Sequence, residues 1–366
     1  MKSVIALLAV LSLSMTGRPE VNERSILALV PRAGGLDAYW HHLNELATPP
    51  FERLKVTRLA LDGSRRGSAV VLDAFIHSVG WAGGDAAPIA LWNDDSEMLR
   101  AATIGDSALE PQAGKIVSEY TTYPGLICGG QQCAAVWSWG SSWYAVYLDE
   151  EGSPKGPSFA LPQAWLLYDV VVDESGLFVV RRISNDIRAA LIRPDGSVQY
   201  DVLLFHSPAN EFAEPIVSAD FDGTAHVVAY AQRPPGNELK ATVIDAVTIA
   251  ENGALQPAHT LIDAGPRGIE TFSLAWNGTQ HLLAWTSGAA LRASRFTPQL
   301  SALDAEPRAI DTSVWLGIVI AAMPDGTFAI GWSRSGAPNV ALLRPDGELT
   351  ASVAIDPAPR RRAAGK

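Results

Sequence analysis

Short apolar runs, each broken by a glycine-centred polar turn, recur along this chain at a nearly constant spacing. The sharpest copy reads Phe272-Ser273-Leu274-Ala275-Trp276, then Asn277-Gly278-Thr279, then His281-Leu282-Leu283-Ala284-Trp285. The flanking residues suit a pleated, half-buried surface, and Asn-Gly tolerates the positive φ angles of a tight hairpin. The pattern therefore predicts two antiparallel strands joined by a two-residue turn. A third strand is predicted over 291–296 and a fourth over 308–310. We name the four strands a, b, c and d.

The same grammar recurs with drift. Asp222-Gly223-Thr224 precedes an apolar run ending in Tyr230, and Asp325-Gly326-Thr327 precedes one ending in Trp332. Earlier copies turn at Ser175-Gly176, Gly129-Gly130 and Gly83-Gly84, and a weaker one at Gly34-Gly35 is followed by Trp40. From Gly84 through Gly130, Gly176, Gly223 and Gly278 to Gly326 the steps are 46, 46, 47, 55 and 48 residues. A fixed period in this range marks one supersecondary unit copied and stacked. A second turn signal agrees with the register: Asp62-Gly63, Glu151-Gly152, Asp195-Gly196, Asn252-Gly253 and Asp346-Gly347 each follow a predicted c strand. Four-stranded units of this length are blades of a β-propeller. The expected fold is all-β, a propeller of about seven four-stranded antiparallel blades, with six as the alternative. Two departures stand out. The 55-residue step needs an insertion, and one b strand ends in Arg181-Arg182 where the others close with a large aromatic such as Trp92, Trp137 or Trp285.

The Trp-Asn-Gly-Thr turn, the apolar strand ending in Trp285, and the Asp-Gly turn after a c strand resemble the repeat of secreted bacterial β-propeller proteins with a W-x-G-x-x-Y-L-V-x-W pattern. The resemblance covers roughly residues 25–356. It implies a propeller fold and a secreted lifestyle, and it carries no catalytic residues across.

Composition fits a large core cut by many turns: 366 residues, 48% hydrophobic and 18% charged, with 31 Gly and 24 Pro. A formal net charge of −11 argues against a nucleic-acid partner, because phosphate binding needs a basic face. Lys2 followed by an apolar run from Val4 to Leu13, too brief to span a bilayer, predicts a signal peptide over 1–17. A single domain over 21–356 and a basic tail over 357–366 complete the expected organisation. The expected protein is secreted or periplasmic, without a membrane span, and monomeric.

The two cysteines, Cys128 and Cys133, bracket the Gly129-Gly130 turn, where an oxidising compartment would let them staple the hairpin for about 2 kcal/mol. The alternatives are two free thiols or, less in keeping with a lone pair, a zinc site, which normally wants about four ligands. No metal and no cofactor are expected. His41 and His42 are adjacent on a strand and point apart, which argues against a shared metal. The sequence contains no G-x-S-x-G elbow, H-E-x-x-H, P-loop or dinucleotide fingerprint.

Strands alternate direction within a blade. The a-to-b and c-to-d turns therefore share one end of the ring, and the b-to-c and d-to-a connections share the other. The glycine turns are short, so the longer connections, which usually carry binding residues, are expected at the second end. That end gathers the candidates Asp73, His77, Glu119, Tyr123, Trp165, Tyr168, Asp169, His206, Glu214, Arg267, Glu270, Asp311 and Trp315, with Tyr120 and Glu211 nearby. Rings stack on pyranose faces and carboxylates accept hydroxyl protons, so this mixture suits a binding module for a glycan, peptide or protein. The alternative is a carbohydrate-active enzyme, a glycosidase or lyase, with paired acids among Asp73, Glu119, Asp169, Glu214, Glu270 and Asp311. The plain reading of each residue is also open: loop acids are mostly solvated, and rings near blade ends mostly pack.

Overall fold

The computed structural model describes residues 22–355 apart from 33, 45–50, 67–69, 73–75, 82–86, 95, 97, 105–113, 120, 130, 208–213, 234–240, 315 and 335–336. The predicted signal peptide and the basic tail lie outside the described residues. Within them the chain forms seven four-stranded antiparallel sheets, each from four consecutive strands. These are seven blades, over 22–72, 76–118, 122–160, 166–206, 216–263, 271–311 and 316–354. The a strand of each blade contacts the a strand of the next, and that of blade 7 contacts that of blade 1, so the a strands encircle a central axis.

Each core belongs to a pair of blades. One apolar cluster fills each of the seven interfaces, because strand residues alternate faces and every sheet is buried on both. The aromatic that recurs in strand b is the bulk of this packing: Trp40, Trp285 and Trp332 are among the largest fully buried side chains. Closure between blades 7 and 1 shares no strand. It rests on Ile26, Leu29 and Trp40 of blade 1 against Met323, Ala329, Val340 and Leu342 of blade 7. Strand b of blade 7 approaches so closely that a Cβ on Gly331 would fall 2.4 Å from Ile26 Cδ1. A residue without a side chain is what this seam accepts.

Polar side chains add specific links across the interfaces. Asp173 at the end of the a strand of blade 4 meets His226 Nε2 of blade 5 at 2.6 Å; His226 Nδ1 meets the Tyr200 hydroxyl at 3.2 Å, and Phe178 stacks on the imidazole at 4.0 Å. Asp169 on the a strand of blade 4 (Leu166–Asp173) accepts the Ala219 N–H of blade 5 at 2.7 Å, and Asp220 of blade 5 accepts the Trp276 N–H of blade 6. Side-chain carboxylates thus satisfy backbone donors on neighbouring inner strands, which lack a ladder partner on the axial side.

The turn chemistry differs from expectation in one respect. Trp276 pairs with His281, so the loop at Asn277-Gly278 has four residues rather than two. The Asn277 side-chain carbonyl accepts the N–H groups of Thr279 and Gln280 at 3.0 and 2.9 Å, and Gly278 takes φ +94°. The asparagine closes the turn with its own side chain, an arrangement repeated by Asp222 in blade 5 and Asp173 in blade 4. Cys128 and Cys133 face each other across strands a and b of blade 3 and form a disulfide.

At the position of the recurrent aromatic in blade 4, Arg181 is buried, with 1% of its surface exposed. Its Nη2 bonds Asp201 at 2.6 Å, whereas among the described residues Nε and Nη1 have no partner. The insertion implied by the 55-residue step lies in the b-to-c connection of blade 5, 232–242, and in the d-to-a connection 264–270, which holds a single 3-10 turn, Gly265–Arg267.

Candidate functional site

The expected division of loop lengths is corrected by the structure. In blades 3, 4 and 6 the b-to-c connections are two-residue turns, at 140–141, 184–185 and 288–289, because long regular b and c strands pair to their ends. The c-to-d connections are among the longest, at 104–114, 149–158 and 297–307. Length at the b-to-c/d-to-a end comes instead from the d-to-a segments 207–215 and 264–270 and from the blade 5 insertion.

That end nevertheless carries a compact charged cluster at blades 4 and 5. Glu214, in the connection leaving blade 4, accepts hydrogen bonds from the Tyr168 hydroxyl and from Arg182 Nη1. Arg182 is held in place by donating through Nε to the Ser184 carbonyl at 2.6 Å. Burial, and then the Glu214 carboxylate, push the Tyr168 phenol well above its ordinary value, so it remains a donor. Arg233 stands close enough for Glu214 to favour its charged form, against burial, which lowers its pKa. Two of the candidates, Tyr168 and Glu214, are therefore in direct contact. Arg182 and Arg233 complete the group; the only signal for Arg182 was the break in the aromatic rule.

Beside this cluster the surface is aromatic. Trp165, with 67% of its surface exposed, is anchored through its backbone N–H to the Arg182 carbonyl at 2.9 Å. On the same end of blade 3, Trp139 and Tyr123 are 59% and 44% exposed, and Trp139 leans on Tyr144 at 6.3 Å. Tyr123 adopts φ +52°, a conformation unusual for a side-chain-bearing residue. Trp139 was not among the candidates read from the sequence. Its position two residues beyond Trp137, on a strand longer than the pattern marked, puts it past the core.

The remaining candidates are dispersed. Glu119 is exposed on blade 2, and His206 is exposed on blade 4 with Nδ1 at 2.7 Å from Asp186. Asp311 is buried, accepting the Trp332 indole N–H at 2.8 Å and the Thr312 N–H at 2.6 Å. Burial raises the Asp169 carboxyl to about 6, while the N–H groups of Ala219 and Val170 oppose the rise. Its electrostatic neighbour is Asp220, itself raised to about 7 by burial, rather than another of the candidate acids. Arg267 lies in the 3-10 turn, and the Glu270 N–H is taken by the Thr286 carbonyl at 3.1 Å. Asp73, Tyr120, Glu211, Trp315 and the His77 side chain fall outside the described residues. His41, from the adjacent pair, is buried with Nε2 at 3.0 Å from the Ile76 carbonyl. Among the described residues no group of three or more His, Cys, Asp or Glu side chains could hold a metal ion.

Solved structures share this architecture. Kuenenia stuttgartiensis hydrazine synthase matches 92% of this chain and 100% of its own at TM-score 0.59 and 12% identity. The coronin WD40 domain of Toxoplasma gondii matches 94% of this chain and 89% of its own at TM-score 0.53 and 11% identity. The acylaminoacyl peptidase of Pyrococcus horikoshii matches 91% of this chain at TM-score 0.55 and 12% identity. These likenesses show the fold alone. The chain spans about half the length of that peptidase, 52%, and 49% of a prolyl endopeptidase matched at TM-score 0.56 and 12% identity. No protein-family pattern matches the chain, and no curated protein does. Functions as different as these on one fold leave the side chains of the site to argue function.

Proposed function

We propose that this propeller is a binding module that recognises a glycan through the b-to-c/d-to-a end of blades 3 to 5. One observation carries the reading: exposed Trp165 is tied by its backbone to Arg182, whose guanidinium shares Glu214 with Tyr168. A ring free to stack thus stands next to a rigid, charged hydrogen-bonding group, and both ride on a scaffold that holds them without ligand. Trp139 and Tyr123 extend the stacking surface onto blade 3. The enzyme reading draws less support, since Asp311 and Glu214 are committed to structural partners and Asp169 to backbone N–H groups of two inner strands.

The Cys128–Cys133 disulfide suits an oxidising compartment, in keeping with a secreted or periplasmic location. No helix among the described residues is long and apolar enough to cross a membrane. A glycan array probed with the mature chain tests the proposal, with Trp165→Ala and Arg182→Ala run beside it. Selective glycan signals lost in both variants support it. Glycan silence with capture of a peptide or protein through the same residues, or signals indifferent to both substitutions, would refute it.

A further inference from the structure

A second feature lies between blades 5 and 6 and shares no residue with the Trp165, Arg182 and Glu214 cluster. A cavity of about 550 Å³ opens between blades 5 and 6, within the size range of small-molecule sites. Its walls mix apolar groups, Trp285 and Phe296 of blade 6, Ile262 of blade 5, and Pro266 and Pro307 from the connections on either side, with Arg267, Arg292, Asp263 and Asp304.

Several of its polar groups are donors without acceptors. Trp285 and Arg292 are direct cross-strand partners on this wall. In blades 1 and 7 the equivalent tryptophans are satisfied, Trp40 by the Thr57 hydroxyl at 3.2 Å and Trp332 by Asp311 at 2.8 Å. Among the described residues nothing accepts the Trp285 indole N–H, although only 2% of that residue is exposed. Half-buried Arg292 has neither an ion pair nor a side-chain hydrogen bond among them, and the hydroxyls of Ser287 and Ser294 on the same wall make no hydrogen bond among them either. The nearby carboxylates do not compensate. Asp304 is bound by Arg295 at 2.7 Å with Arg308 at 3.7 Å, and Asp263 accepts the Gly265 N–H at 2.9 Å at the exposed rim.

A cation left unpaired in a part-apolar cavity seeks a charge-assisted partner, and a guanidinium fork fits a carboxylate in two-point fashion. We propose that the cleft between blades 5 and 6 binds a small organic carboxylate with an apolar or aromatic body. The acid group meets Arg292 and the Trp285 N–H, the serine hydroxyls supply further polar contacts, and the body packs on Phe296 and the two prolines.

The test uses the full chain with ¹⁵N-labelled tryptophan, in which Trp285→Phe assigns the Trp285 indole signal. Titration with phenylacetate is expected to shift that signal saturably, whereas phenylacetamide, isosteric and uncharged, binds about tenfold or more weakly. Arg292→Met is expected to weaken phenylacetate by a similar factor while Trp165→Ala leaves it unchanged. Absence of any shift, equal binding of acid and amide, or undiminished binding by the Arg292→Met protein would overturn the proposal. None of these results bears on glycan binding at the loop end.

Discussion

Replacing Trp332 by alanine probes the inter-blade packing most directly. The ring is fully buried in blade 7 and packs against Ala275, Leu282 and Val314 of the blade 6 side, while its indole N–H bonds Asp311 at the end of that blade's outer strand. A buried tryptophan removes about 150–250 Å² from water, which at about 25 cal/mol/Å² gives roughly 4–6 kcal/mol as an upper bound. Large-to-small core substitutions cost about 3–5 kcal/mol, because the cavity collapses only in part. Losing the indole donor adds about 1 kcal/mol, modest because Asp311 keeps the Thr312 N–H and has Arg334 at 3.6 Å. Trp332→Ala is thus expected to lose about 4–6 kcal/mol. Trp332→Phe, which keeps most of the ring and loses the donor, is expected to lose about 1–2 kcal/mol. Guanidinium unfolding followed by far-ultraviolet circular dichroism measures both. An alanine variant within about 1 kcal/mol of the parent would refute the packing argument. Equal losses in the two variants would refute the separation of ring from hydrogen bond.

Arg181 occupies an aromatic's place with two unsatisfied donors, and Asp201 would keep Arg188 at 3.0 Å without it. Arg181→Met is therefore expected to leave stability unchanged or raise it by about 1 kcal/mol, and a loss above about 2 kcal/mol in the same assay would show the charge to be required. Burial raises Asp220 to about 7 from 3.8, so between pH 4 and pH 7 the folded chain holds a proton that the unfolded chain releases. The contribution of this group to stability is full at low pH and falls as pH rises through that window. The stability of Asp220→Asn relative to the parent should rise from pH 4 to pH 7, and a pH-independent difference would count against the raised carboxyl.

How much was legible in advance differs by level. The seven blades followed from the spacing of turn glycines and from period-two apolar runs, since both are local requirements: a turn must close and a strand must present a face. The cross-strand disulfide was legible for the same reason, two cysteines flanking one hairpin. The turn at Asn277 was misread by two residues because its closure uses the asparagine side chain, which the Asn-Gly pair does not announce. The expectation that the longer connections gather at the b-to-c/d-to-a end failed where b and c strands paired to their ends, an outcome decided by register.

The candidate site shows the boundary more sharply. Tyr168 and Glu214 could be placed on one end of the ring, but Arg182 joined them only because strand b of blade 4 turns that side chain toward blade 5 and its neighbour Arg181 toward blade 3. Alternation within one strand is local; what each face meets is not. The chain by itself determined the repeat, the strand order within each blade and the alternation of side chains along its regular strands. Only the closed ring decided which blade faces met, and so which donors at Trp285 and Arg292 were left without partners, because those contacts join residues that no local pattern couples.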